Sequence, residues 1–125
     1  MNAAIAWSLY EGACSSLLPN YETITTEEQK SHAQALARIE SHYFLNGVIA
    51  PEHSLLNGID KIRHIPSTIV QGRYDIICPI TTAHRLHAAW PEADYVVVPD
   101  GGHSGQDPSV RSRLIEATEN AKTIR

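Results

Sequence analysis

The sequence predicts an α/β fold, with parallel strands and flanking helices in its second half and helices alone in its first. Three observations predict it. Thr68, Ile69 and Val70, after Pro66, form a β-branched run closed by Gly72, and Tyr95, Val96, Val97 and Val98 form a second closed by "PDGG". Between them "PITTAHRLHAAWPEA" carries Ala83, Leu86, Ala89 and Trp90 at helical spacing, so the order is strand, helix, strand, as in a parallel βαβ unit. No convincing strand occurs between Met1 and about Leu56.

Taken in order, "NAAIAWSLYEGACSSLL" reads as a helix with Asn2 as its cap, and the polar "PNYET" (Pro19 to Thr23) as a loop. A second helix follows in "TTEEQKSHAQALARIESHYFL", where Thr26 and Gln29 have capping-box spacing. The stretch "PEHSLLNGIDKIRHIP" connects this helical part, residues 1–56, to the α/β part, residues 57–125. Neither strand alternates polar and apolar residues cleanly, which predicts strands covered on both faces. Pro79 stands near the start of the intervening helix and Pro91 just after it. Pro108 opens a last helix, "DPSVRSRLIEATENAK", with Val110, Leu114 and Ala117 on one stripe. Two strands and one crossover make no stable sheet by themselves. The sequence therefore predicts either assembly with a second copy or the C-terminal part of a larger fold.

The 125 residues are 42% hydrophobic and 19% charged, an ordinary globular balance. A formal charge of −4 without a Lys/Arg cluster argues against nucleic acid as a partner. The opening "MNAAIAWSLYEGAC" has no basic start, and Glu11 interrupts it before an apolar span could cross a bilayer, so a cytoplasmic chain without a membrane partner is expected. Cys14 and Cys78 are expected to be free thiols.

Each strand is followed by a titratable group: Asp75 in "GRYDIICP" and His103 in "GGHSG". In a parallel sheet both strand C-termini lie on one edge, so the two can meet there. A carboxylate and an imidazole so placed form the orienting half of a nucleophilic triad, and the order Asp then His, late in the chain, is that of α/β-hydrolases, whose Ser comes earlier. The alternative is local: an Asp after a strand caps nearby backbone, and "GGHSG" is a flexible turn. In the helical half, Trp7, Tyr10, Cys14, Leu17 and Leu18 define a stripe that contains Glu11. Ala33, Leu36, Ala37, Tyr43 and Phe44 define another that contains Glu40. A carboxylate on a core-facing stripe needs a partner. That partner is an internal cation such as Arg38, Arg63 or Arg73, or a substrate ammonium, unless the stripe edge is solvated. His84 and His87, three apart on the interstrand helix, lack an obvious third metal ligand, and no metal site is expected.

"AAIAWSLYEGACSSLLP", "ARIESHYF", "IRHIPSTIVQGRYDIICP", "AAWPEADYVVVPDGGHSGQDP" and "LIEAT" occur in the order and at nearly the spacing seen in proline iminopeptidases of the α/β-hydrolase superfamily, which the chain resembles over essentially its whole length. The resemblance implies the C-terminal part of an α/β-hydrolase fold preceded by helices of the cap domain. It implies Asp75 as triad acid, His103 as general base, and Glu11 and Glu40 as the carboxylates that bind the free amino end of a peptide beginning with proline. No cofactor is implied. Cys78 is expected to pack near the triad edge. The family's nucleophile lies on a Gly-x-Ser-x-Gly elbow, and no such motif occurs here; Ser104 fails the spacing because position 106 is Gln106. The early glycine-rich segment that would supply an oxyanion hole is also absent. These 125 residues alone are therefore expected to lack peptidase activity unless an N-terminal fragment complements them or a second copy pairs with them. Two rivals remain: part of an esterase or epoxide hydrolase, and a non-enzymatic truncated or degenerate product that acts as a binding module or has no role.

Overall fold

A computed structural model of the chain describes residues 2–18, 22–47 and 55–123. Its elements are α1 (Asn2–Ser15), α2 (Glu27–Asn46), a 3₁₀ segment (Leu55–Lys61), β1 (Thr68–Gly72), α3 (Ile80–Ala89), β2 (Asp94–Val98) and α4 (Pro108–Ala121). Parts of the loop expected over Pro19 to Thr23 and of the connecting stretch before Leu55 lie outside the described residues. The chain divides into two compact units, one containing α1 up to Cys14 and α2, the other Ser15–Leu18 and everything from Leu55 onward.

In the first unit α1 begins at Asn2 itself, so the residue expected to cap the helix is its first member. The capping box of α2 forms as its spacing predicts. Thr26 Oγ1 accepts the Gln29 N–H at 3.2 Å, and Gln29 Oε1 accepts the backbone N–H groups of Thr26 and Thr25, each at 3.0 Å. Glu27 and Glu28 in the first turn complement the helix dipole, and Gly47, at φ 72°, ends the helix in a backbone state that a Cβ disfavours. The apolar stripes are less covered than expected. No residue of α1 is buried, Ala33 is the buried residue of α2, and Tyr10 and Phe44 are each 65% exposed. Two helices offer each other one contact face, too little to cover aromatic stripes of this width.

In the second unit β1 and β2 pair in parallel, with Thr68 opposite Asp94 and Gly72 opposite Val98. Among the described residues the sheet has these two strands. Both α3 and α4 pack on β1, and α4 also on β2. The full coverage predicted from the strand sequences is not reached, since Val97 stays partly exposed. Ile59, Trp90 and Ala93 form a buried cluster with Ile69, Leu86 and Ala89 packed around it. This cluster joins the 3₁₀ segment, β1 and the end of α3. The Trp90 indole donates to the carbonyl of Arg63 at 3.3 Å, closing the cluster with a satisfied polar edge.

Arg63 continues that edge. Its guanidinium donates to both Glu92 oxygens at 2.7 and 2.9 Å, to Asp60 at 3.3 Å and to the carbonyl of Ala89 at 2.9 Å. The Arg63 hydrogen bond holds the Glu92 carboxyl below its ordinary value. A depressed folded-state value contributes stability above the unfolded value, about 4.5, and that contribution is lost as pH falls through the lower folded one. Glu92→Gln is thus expected to destabilise the chain at pH 7 and by progressively less as pH falls below that unfolded value, by a modest amount because both side chains are partly exposed. Urea unfolding from pH 7 downward checks this; a loss that does not change with pH would assign the effect to packing.

Candidate active site

The site forms where β1 and β2 end. Past the strands the parallel ladder continues, with the Arg73 N–H on the carbonyl of Val98 at 2.9 Å and the Tyr74 N–H on that of Gly101 at 3.0 Å. These bonds bring the two post-strand loops together. Their approach needs Gly72, where a Cβ would meet the Gly101 carbonyl oxygen at 2.8 Å; a Cβ on Gly102 would meet the backbone of Ser15 and Leu17 at 2.9 Å, so that position lets the Ser15–Leu17 segment lie against the His103 loop. The Ser104 N–H, in turn, donates to the carbonyl of Ser15 at 2.7 Å.

Asp75 and His103 meet at this edge, with Nδ1 of His103 3.1 Å from Oδ2 of Asp75. The Asp75 side chain is 7% exposed and that of His103 38%. Oδ1 of Asp75 accepts the backbone N–H groups of Ile77 at 3.0 Å and Cys78 at 2.7 Å. The local and the long-range readings of Asp75 therefore coexist, one on each oxygen. An ionised carboxylate only accepts, so Nδ1 carries the shared proton and Nε2 is left as the basic nitrogen of the neutral ring. Burial, and then the Asp75 carboxylate, push the Cys78 thiol above its ordinary value.

Glu11 and Glu40 lie in the other unit, each half-buried. Oε2 of Glu40 accepts the indole N–H of Trp7 at 2.6 Å. Around this pair α1 and α2 enclose a cleft of about 500 Å³, lined by Ala3, Trp7, Ala37, Arg38, Glu40 and Phe44 among others. Glu11 does not line it. Of the cations expected as carboxylate partners, Arg63 is engaged by Glu92 and Asp60 instead.

Residues 1–109 match the family model described as the alpha/beta hydrolase fold. The chain belongs to that family. It is 46% identical over 123 residues to a proline iminopeptidase of Arabidopsis thaliana, covering 98% of this chain and 32% of the relative. It is also 47% identical over 118 residues to a probable proline iminopeptidase of Leptolyngbya boryana, covering 94% and 37%, and 41% identical over 121 residues to a proline iminopeptidase of Neisseria gonorrhoeae, covering 96% and 37%. The chain thus spans about a third of the length of the curated relatives it matches.

Within the hydrolase fold, two residues that the sequence reading passed over help to build the site. Asp107 occupies the N-cap position of α4 but makes no side-chain bond to that helix. Its Oδ2 accepts the Gly102 N–H at 3.1 Å and so steadies the loop that carries His103. Gln71, in β1, is buried and reaches Asp75 Oδ2 at 3.3 Å. A polar residue in an apolar strand run was the available signal for it. Among the described residues no group of three or more His, Cys, Asp or Glu is placed to hold a metal ion. The His87 ring stacks on Tyr95 with centroids 5.1 Å apart. Cys14 and Cys78 do not pair, and no described helix is long and apolar enough to cross a membrane.

Proposed function

We propose that these residues form the acid–base and amine-binding portion of a serine peptidase that releases N-terminal proline from peptides. The observation that carries this reading is the Asp75–His103 pair at the sheet edge. The names of the relatives support the substrate. The nucleophilic Ser comes from outside these 125 residues. It attacks the scissile carbonyl as His103 Nε2 takes its proton. His103 then returns that proton to the leaving amine, and Asp75 stabilises the imidazolium between the two steps. Glu11 and Glu40 hold the imino cation at the amino end of the substrate. The indole N–H already on Glu40 orients its carboxylate without neutralising it. This chemistry calls for no cofactor, and two unpaired thiols suit a cytoplasmic setting.

Alone, the chain is expected to turn over proline naphthylamide negligibly, because base and acid without nucleophile or oxyanion hole stabilise little of the transition state. Titrated with a separately expressed N-terminal part of a proline iminopeptidase, it is expected to release proline. In that mixture Glu40→Gln should lower kcat/KM for the proline substrate by about 10²-fold, the scale of losing a charge-assisted contact to a desolvated cation, and leave a simple ester much less affected. An equal loss on both substrates would favour an esterase. No activity despite demonstrated binding would favour a chain that only binds, whether to such a fragment or to a second copy.

A further inference from the structure

Gln71 is the one polar residue in the buried set of the described residues, 9% exposed near the end of β1. Burying an uncharged amide is costly unless its groups are paired, and an apolar side chain of similar volume would pack there without that cost. Its Nε2 lies 3.1 Å from the carbonyl oxygen of Gly72, 3.2 Å from that of Cys78 and 3.3 Å from Asp75 Oδ2. All three are acceptors, so the NH₂ end of the amide faces them, with its two protons shared among three oxygens. One of the three carries charge. Asp75 then has two donors on each oxygen: Ile77 and Cys78 N–H on Oδ1, Gln71 and His103 on Oδ2.

These four bonds do different work. The two backbone donors anchor Oδ1, and because the carboxylate is planar they also set Oδ2, to within the play that two hydrogen bonds allow on a broad terminal torsion. A donor on Oδ2 other than the imidazole narrows that play before the ring arrives. We propose that Gln71 is a positioning residue whose amide holds Asp75 Oδ2 where His103 Nδ1–H meets it, and so selects the ring tautomer that keeps Nε2 basic. Gln71 touches no substrate and acts through Asp75. Its meaning for catalysis rests on the proposed triad; its effect on the ring does not.

The test reads the tautomer of His103 by ¹⁵N NMR on the full 125-residue chain, at a pH where the ring is neutral. The unaltered chain is expected to hold the Nδ1–H form. Gln71→Met, which keeps length and volume but removes the donor, is expected to lose the excess of that form and move toward the mixture of a free imidazole. Retention of the Nδ1–H form in Gln71→Met would overturn the proposal, because a residue that merely fills space is replaced by Met without touching the ring. Asp75→Asn separates the two readings. A shift in Asp75→Asn without one in Gln71→Met sinks the role of Gln71 alone, and no shift in either sinks the Asp75–His103 pair itself. If the Met variant does not fold, the unaltered chain decides: the Gln71 Nε2 protons should exchange slowly and shift as the Asp75 carboxylate is protonated. Exchange at the rate of an exposed side-chain amide, with no such shift, would overturn the proposal.

Discussion

In the complemented enzyme, His103→Ala is expected to lower kcat by about 10³-fold or more. The loss is this large because one ring serves both proton transfers: it takes the proton of the Ser hydroxyl and delivers it to an amine that leaves poorly without it. Asp75→Asn should fall nearly as far although its shape is unchanged, since the amide can present an N–H to Nδ1 and so reverse the tautomer that the 3.1 Å contact selects. The two losses should not add, because both remove the same unit. Rates are measured at saturating substrate and at a fixed excess of the N-terminal part, with complex formation checked separately. A His103→Ala complex that retains a tenth of the unaltered kcat would remove His103 as the base. Doing the same with Asp75→Asn alone would leave the base but assign the carboxylate to loop structure.

Gly72→Ala is expected to destabilise the second unit by about 3 kcal/mol, near the upper end of overpacking effects. The cause is steric rather than torsional, since Gly47 is the described glycine with positive φ. The new Cβ would collide with the carbonyl oxygens of Gly101 and Gly102, which are backbone atoms and cannot rotate aside. Relief requires the end of β1 to part from the His103 loop. That movement breaks the Tyr74 N–H bond to Gly101 and draws Asp75 away from His103. Urea unfolding should show the loss, and amide exchange at Tyr74 should quicken more than at Val70 inside the strand. Unchanged stability with a protected Tyr74 amide would mean that the two loops are not held this closely. This prediction concerns packing alone and stands whatever the chain catalyses.

How far the sequence was legible can be judged residue by residue. Both strands, α3 with its flanking prolines, α4 opening at Pro108 and the capping box of α2 all rest on local chemistry: β-branched runs, fixed proline φ and side chains within three residues of the backbone they bond. The meeting of Asp75 with His103 was legible too, because a parallel crossover sends both strand ends to one edge. Less legible were the stripes of α1 and α2, whose apolar spacing says which residues share a face and not what covers it. The pairing of Glu40 with Trp7 was also missed, since the two are 33 positions apart and belong to different helices.

The sequence by itself determined the α-helices and strands, their order, the resemblance to the family and the two groups that meet at the sheet edge. Each follows from short-range periodicity or from a motif with its own spacing. Only the tertiary structure decided how that meeting is built. Gln71, Asp107 and the glycines at 72 and 102 act across space, on a carboxylate, an N–H group and two crossing backbones. A side chain that must fit a neighbour distant in sequence leaves no periodic trace, because the constraint is a distance in the folded chain and not a count along it.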